Sequence, residues 1–354
     1  MSFTSLHFKK SYKEELFFIE NRTQWLLLGV LILGLIFFPF FSTPFLLDLA
    51  NQVFLALIGA IALMMLTGYA GQISLGHAGL IAAGAFTTAI LFKEIRAPFW
   101  ITLPASGLVG GILGFIFGLP SLRLKGLYLA LSTLSLHFIV NYIGAEYETQ
   151  RGFATGVVIE PPVLFSIIIE DPRAWYFLLL FFDVILIIFL INLLRSRTGR
   201  AWMAVRDRDI AAEALGIKLS SYKLSAFVTS STITSIGGCL FAYYRGFVSA
   251  EAYSLFLTIE YIAMIIIGGI GSILGTIFGT IFVVLLPYVI EIMTKIFHFS
   301  PRITTFMFSI NHIIFGLIMI IFLVFEPQGL VGIWSRIKNY FILWPFKYKI
   351  SGIE

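Results

Sequence analysis

"GYAGQISLGHAGLIAAGAF", residues 68–86, carries five glycines and two polar side chains, Gln72 and His77, between apolar runs that read as membrane spans. Glycine inside a helix costs about 1 kcal/mol relative to alanine. Polar groups in hydrocarbon are expensive as well. Broken backbone is tolerated at membrane depth only where it is buried in protein or lines a watery path. The stretch therefore predicts a bundle of helices built around it, not a lone anchor.

Composition agrees. The chain has 354 residues, 59% hydrophobic and only 12% charged, with a mean hydropathy of +0.96. Ordinary soluble domains carry about 25% charged residues. The apolar runs are continuous, which suits helices of about 20 residues and not barrel strands that alternate over about 10. The expected fold is an all-α integral membrane protein, a polytopic bundle of about ten (8–10) transmembrane helices. The spans fall near 25–41, 46–67, 72–92, 99–119, 126–144, 174–194, 223–244, 255–268, 273–294 and 309–325. The run 25–41 is long for a signal core and no small-x-small cleavage site follows it, so it reads as an uncleaved first span.

Charge predicts the orientation. With a cytoplasmic N-terminus, 17 of the 24 lysines and arginines fall in cytoplasmic segments and 7 in outer ones, as the positive-inside rule requires. The net charge of +5 is then a topology signal, and no nucleic acid is implied. Both termini are expected in the cytoplasm of a bacterial-type inner membrane. The layout is a cytoplasmic segment 1–24, a transmembrane domain 25–325 and a cytoplasmic tail 326–354. An acidic outer loop covers about 145–173, and a basic inner loop about 195–222.

The inner loop, "RSRTGRAWMAVRDRDIAAEALGIKLSS", has helix punctuation. Thr198 can cap one start and Asp209 another, and Gly216 is placed as a left-handed stop. A solvated topology signal and a docking element both fit it, with Ala211, Ala212 and Ala214 allowing close contact. A second glycine cluster, "IGGIGSILGTIFGTIF", faintly echoes the first, and such paired interruptions point to the path of a repeat-built transporter. The ladders Gly271/Gly275/Gly279 and Gly110/Gly114/Gly118 read as close helix packing.

Glu260 lies inside an apolar run beside that second cluster, either lining a path or anchoring a neighbouring helix. Asp183, also inside a span, reads as a hydrogen-bond anchor. His77 and Gln72 read as hydrogen-bonding groups at the first break. The chain has a single cysteine, Cys239, which excludes intrachain disulfides and cysteine-based metal sites. No Gly-Lys dipeptide occurs, so there is no G-x-x-x-x-G-K-[ST] phosphate loop. No catalytic constellation and no metal site are readable.

"TGYAGQISLGHAG" (67–79), "LRLKGLYLAL" (122–131), "GRAWMAVRDRDIAAEALGI" (199–217) and "IEYIAMIIIGGIGSILGTIFG" (259–279) resemble, in order and spacing, the hallmark segments of branched-chain amino acid ABC transporter permeases of the longer, LivM type. The resemblance spans roughly 45–330. It implies half of a heterodimeric permease, paired with a LivH-like second permease subunit, two cytoplasmic ATPase subunits and an extracytoplasmic solute-binding protein. ATP and Mg would then sit on the ATPase subunits, with no cofactor on this chain. The matching coupling residues are Gly199, Arg200, Arg206, Asp207, Glu213, Ala214 and Gly216, joined by Ala212 from the docking helix. The translocation path is expected at Gly68, Gly71, Gln72, His77, Glu260, Gly268 and Gly269. "TQRGFATG" (149–156) departs from the family's usual glycine motif after the fifth span, so a urea or amide permease on the same scaffold is an alternative. A self-contained ion-coupled carrier is another; it would need partnered intramembrane charges, and Glu260 with His77 is a thin set.

Overall fold

The computed structural model describes residues 22–122, 124, 126–153, 156–164, 167–296 and 307–343. Residues 1–21, Arg123, Lys125, Arg302 and the tail from 344 lie outside the described residues, so the loop charges expected there are not placed.

Ten long or apolar helices follow the expected spans closely: α1 (Arg22–Phe41), α2 (Pro44–Met64), α3 (His77–Ile95), α4 (Phe99–Gly118), α5 (Leu127–Gln150), α6 (Pro172–Arg195), α9 (Leu219–Arg245), α10 (Leu255–Gly268), α11 (Ile273–Ile296) and α12 (Met307–Phe325). Two short helices, α7 (Arg197–Asp207) and α8 (Asp209–Ala214), fill the basic loop, and α13 (Gly329–Leu343) follows α12. Among the described residues, seven helices are long and apolar enough to cross a membrane. An eighth is formed if Ile313–Phe325 and Gly329–Lys338, bent by 51°, count as one span. The count of ten is thus reached only by including the short apolar helices Gly29–Phe41 and Leu255–Gly268.

Local chemistry sets the helix ends. Thr43 caps α2 by accepting from the Leu46 N–H, with Pro44 in the first turn, where its missing N–H is harmless. Asp171 caps α6 in the same way, through the Arg173 N–H, ahead of Pro172. Arg245 ends α9 before Gly246, which is left-handed at φ 71°.

The core is centred on α9, which packs along α4, α3 and α2. Small residues make this possible. A Cβ on Gly110 or Gly114 would collide with Ser235 or Ser231 of α9, and one on Gly84 with the Ser235 carbonyl. The Gly110/Gly114/Gly118 ladder is therefore a packing seam, as expected. Burial separates centre from rim. The apolar window of Pro44–Tyr69 is 72% buried and that of α6 only 22%, so α6 lies at the rim of the bundle.

The acidic loop is tied down at one end of the bundle. Strand β1 (Val157–Val158) pairs antiparallel with β4 (Phe247–Val248), and β2 (Val163–Leu164) with β3 (Ile167–Ile168). Arg96 bonds Glu160 at 2.9 Å, and Arg151 bonds Glu94 at 2.7 Å.

Candidate functional site

The glycine-rich stretch breaks as the sequence predicts. Helix α2 runs into a π-helical turn, Met65–Tyr69, and then into irregular backbone as far as Gly76. The third helix consequently begins at His77, five residues later than the expected 72. Such π turns are rare and concentrate at functional sites.

The freed backbone groups find partners from three other elements. Thr67 Oγ1 donates to the Gln72 carbonyl at 3.1 Å. Gln72 Nε2 donates to the Lys223 carbonyl of α9 at 2.9 Å. The Leu75 N–H donates to Thr133 Oγ1 of α5 at 2.9 Å, and the Ala78 N–H to Thr258 Oγ1 of α10 at 3.0 Å. The break is thus a junction of α2, α3, α5, α9 and α10.

Its most telling partner is Arg206, near the end of α7. Arg206 Nη1 donates to the Gly68 carbonyl at 2.7 Å. Gly71, at φ 68°, lies against the stem of the same arginine, so a Cβ there would sit 2.8 Å from Arg206 Cγ. On its other side Gly68 touches the second glycine cluster, where an added Cβ would lie 2.7 Å from the Gly271 nitrogen. The two echoing clusters therefore meet in space, with one arginine of the basic loop bridging to them. A cavity of about 330 Å³ opens here, lined by Gly71, Gln72, Arg206, Asp207 and Lys223.

Gly268 and Gly269 sit at the second break. A Cβ on Gly268 would strike the Gly275 carbonyl, and one on Gly279 the Met264 carbonyl, so these glycines close α10 onto α11. Gly275 and Gly279 thus belong to a packing ladder as expected, whereas Gly271 lies in the turn and not on the helix face. Gly269 faces the start of α13, where its Cβ would lie 2.5 Å from the Gln328 carbonyl.

His77 and Glu260 stand apart from Arg206. His77 is buried, hydrogen-bonds to the Gly59 backbone and lies 4.8 Å from the Tyr261 ring, edge to face. Glu260 is half-buried and lines a separate cavity with Tyr261. The expected path residues therefore divide. Gly68, Gly71, Gln72, Gly268 and Gly269 gather at the breaks, where Gly71 and Gln72 line the first cavity, His77 is enclosed between helices, and Glu260 faces the second cavity. Asp183 does not act as the expected anchor: it is buried, and neither carboxylate oxygen has a hydrogen-bond partner among the described residues.

The basic loop forms the helical element read from its punctuation, with three corrections. Ser196, not Thr198, caps α7, accepting from the Gly199 N–H at 3.4 Å. Asp209 is the first residue of α8 and not its cap; its Oδ1 accepts from the adjacent Ile210 N–H. Ala212 is buried against its own chain, so it offers no surface to a partner. Gly216 does stop α8 in the left-handed region, at φ 84°. Gly199 is buried where α7 folds back on the end of α6, a turn that a Cβ would block against Leu194. Arg200, Glu213 and Ala214 are exposed, and Ile210 and Leu215 are 80% and 82% exposed. Arg206 also bonds its neighbour Asp207 at 2.8 Å.

Trp202 is the residue that sequence reading missed. It is buried and its Nε1 donates to Ser225 Oγ of α9 at 3.1 Å, riveting α7 to the bundle. Its signal was available: Ala201, Trp202 and Val205 form one apolar face in an otherwise charged helix.

Comparison with known proteins gives the family of the chain. The family described as branched-chain amino acid transport system / permease component matches residues 45–323. The chain is 30% identical over 332 residues to the high-affinity branched-chain amino acid transport system permease protein LivM of Salmonella typhimurium, covering 87% of this chain and 75% of that protein. The LivM protein of Escherichia coli matches to the same extent. A more distant relative is the autoinducer 2 import system permease protein LsrC of Yersinia enterocolitica, 28% identical over 76% of this chain and 73% of its own. No solved structure matches.

Proposed function

This chain belongs to the family of branched-chain amino acid transport system permeases, and on that premise we propose that it forms half of the translocation pathway of an ATP-driven importer for aliphatic amino acids. It is a multi-pass membrane transport subunit, not an enzyme. Hydrolysis belongs to ATPase partners, and delivery of substrate to a solute-binding protein. We assign the other half of the pathway to a shorter, LivH-like permease, and the basic loop to the cytoplasm.

The observation that carries the coupling role is the reach of Arg206. One helix, α7, is riveted to the bundle by Trp202 and holds the broken backbone at Gly68 through Arg206. The adjoining helix α8 projects Ile210 and Leu215 away from the bundle. Exposed apolar side chains on a charged element are the features of a protein contact. A push on α8 would reach the membrane helices through one short, bonded lever. The path residues Gly68, Gly71, Gln72, Gly268 and Gly269 would then be hinge elements that yield to that push.

The test is reconstitution. This chain, its partner permease, the two ATPases and the binding protein are placed in proteoliposomes, and leucine uptake is followed with ATP inside. Uptake that requires all components supports the reading. Uptake by this chain alone, driven by an ion gradient, would refute it in favour of a self-contained carrier.

A further inference from the structure

A second cavity, about 260 Å³ in volume, lies between α2, α9, α10 and α11, away from the glycine breaks. It is smaller than the roughly 300–1,000 Å³ of pockets for drug-sized ligands, so it suits a small metabolite. Most of its wall is aliphatic, from Leu55, Leu257, Met264, Val283 and Val284.

The polar part of the wall is of two kinds. Tyr288 donates to Gln52 Oε1 at 2.9 Å, and Gln52 Nε2 donates to Asp48 at 2.7 Å. Asp48 also accepts from Tyr244. These groups satisfy one another. Glu260 and Arg245 do not belong to that network. Among the described residues no hydrogen bond or ion pair engages either, and Arg245 only lies over the Phe241 ring, 5.3 Å from its centroid. Ionisable groups held in a membrane bundle are costly and face partners or a watery cavity. Glu260 is half-buried in the wall and Arg245 stands exposed at the end of α9, so one group of each sign meets a single aliphatic cavity, neither engaged by a protein hydrogen bond among the described residues.

A lone cation would satisfy Glu260 but be repelled by Arg245, and a lone anion the reverse. A zwitterion satisfies both. We propose that this cavity is the transit subsite for an aliphatic α-amino acid, with Arg245 holding its carboxylate, Glu260 its ammonium, and Leu257, Met264, Val283 and Val284 its side chain. The subsite rests on the importer reading above, and it locates the substrate in this chain at Glu260, not at the glycine breaks.

The test uses the complete reconstituted importer. Loss of one charge-assisted hydrogen bond is expected to cut leucine transport by roughly tenfold or more in Glu260→Gln and in Arg245→Gln. ATPase capture and binding-protein-stimulated hydrolysis should persist, and Arg245→Lys should restore part of the rate. A wild-type complex that moves no leucine refutes the importer reading itself. A wild-type complex that moves leucine, beside both neutral variants moving it equally well, refutes only the subsite. A second measurement is independent of variant folding. In a Cys239→Ser background, Val284→Cys is labelled with a maleimide. Leucine should slow labelling, whereas its deaminated acid and its decarboxylated amine, each lacking one charge, should not. Equal protection by all three, or by sodium ions alone with no further effect of leucine, would overturn the proposal.

Discussion

Removing the Arg206 side chain should uncouple hydrolysis from transport without disassembling the importer. In Arg206→Ala the Gly68 carbonyl loses a donor at 2.7 Å. Hydrogen bonds to charged groups contribute about 1.5–3 kcal/mol. The Arg206 side chain is 36% exposed and is shared with Asp207, so the lower part of that range applies. At about 1–2 kcal/mol, the bonded arrangement of loop and break would lose a factor of roughly 5–30 in population. The Trp202–Ser225 bond and the exposed face of α8 are untouched, so ATPase capture should stay normal. The assay is leucine uptake per ATP hydrolysed in proteoliposomes, which should fall severalfold. Asp207→Ala is the control: it removes only an exposed ion pair, generally worth less than about 1 kcal/mol, and should leave the ratio near wild type. An unchanged ratio in Arg206→Ala would refute the lever. So would equal losses in Arg206→Ala and Asp207→Ala.

Gly71→Leu should reduce transport far more than Gly34→Leu. The first demands a left-handed side chain against Arg206, at about 1–2 kcal/mol for the backbone alone, whereas Gly34 has open space around it; uptake normalised to expression checks this. Trp202→Ala should destabilise the loop–bundle junction by about 3–5 kcal/mol, read as accelerated proteolysis at the basic loop in detergent. Leu215→Asp should abolish ATPase co-purification while the permease keeps its melting temperature, whereas Ala212→Trp should lower that temperature, because Ala212 packs inside its own chain. In a Cys239→Ser background, a cysteine at Val158 should react with an impermeant reagent from outside and one at Ser220 only after permeabilisation; the opposite pattern would invert the orientation.

The membrane class and the helix positions were legible in the chain because lipid imposes a one-dimensional rule. A span must be apolar over about 20 residues whatever it packs against. Span 255–268 was read to the residue, and most others within a few residues, the widest gap being six at the end of α5. The two breaks were legible for a related reason: clustered glycine marks the places where helix is disfavoured. The loop helix α8 and its stop at Gly216 followed from local chemistry confined to a few consecutive residues.

What the breaks are bonded to was not legible. Gly68 and Arg206 are 138 residues apart and Gln72 and Lys223 are 151 apart, and no periodicity or motif encodes such a pairing. Which alanine of α8 faces inward was hidden for the same reason. Ala211, Ala212 and Ala214 are the same residue, and only the neighbouring helices decide that Ala212 is the buried one. Glu260 could be read as costly from sequence alone, but its open cavity and its unpaired opposite number, Arg245, exist only once α9 and α10 are packed. The sequence by itself determined where this chain enters and leaves the membrane and where its helices give way, because those depend on local transfer and propensity energies. Tertiary structure alone decided that both weak points meet under one arginine of the loop, because that contact is set by how the neighbouring helices pack around α9.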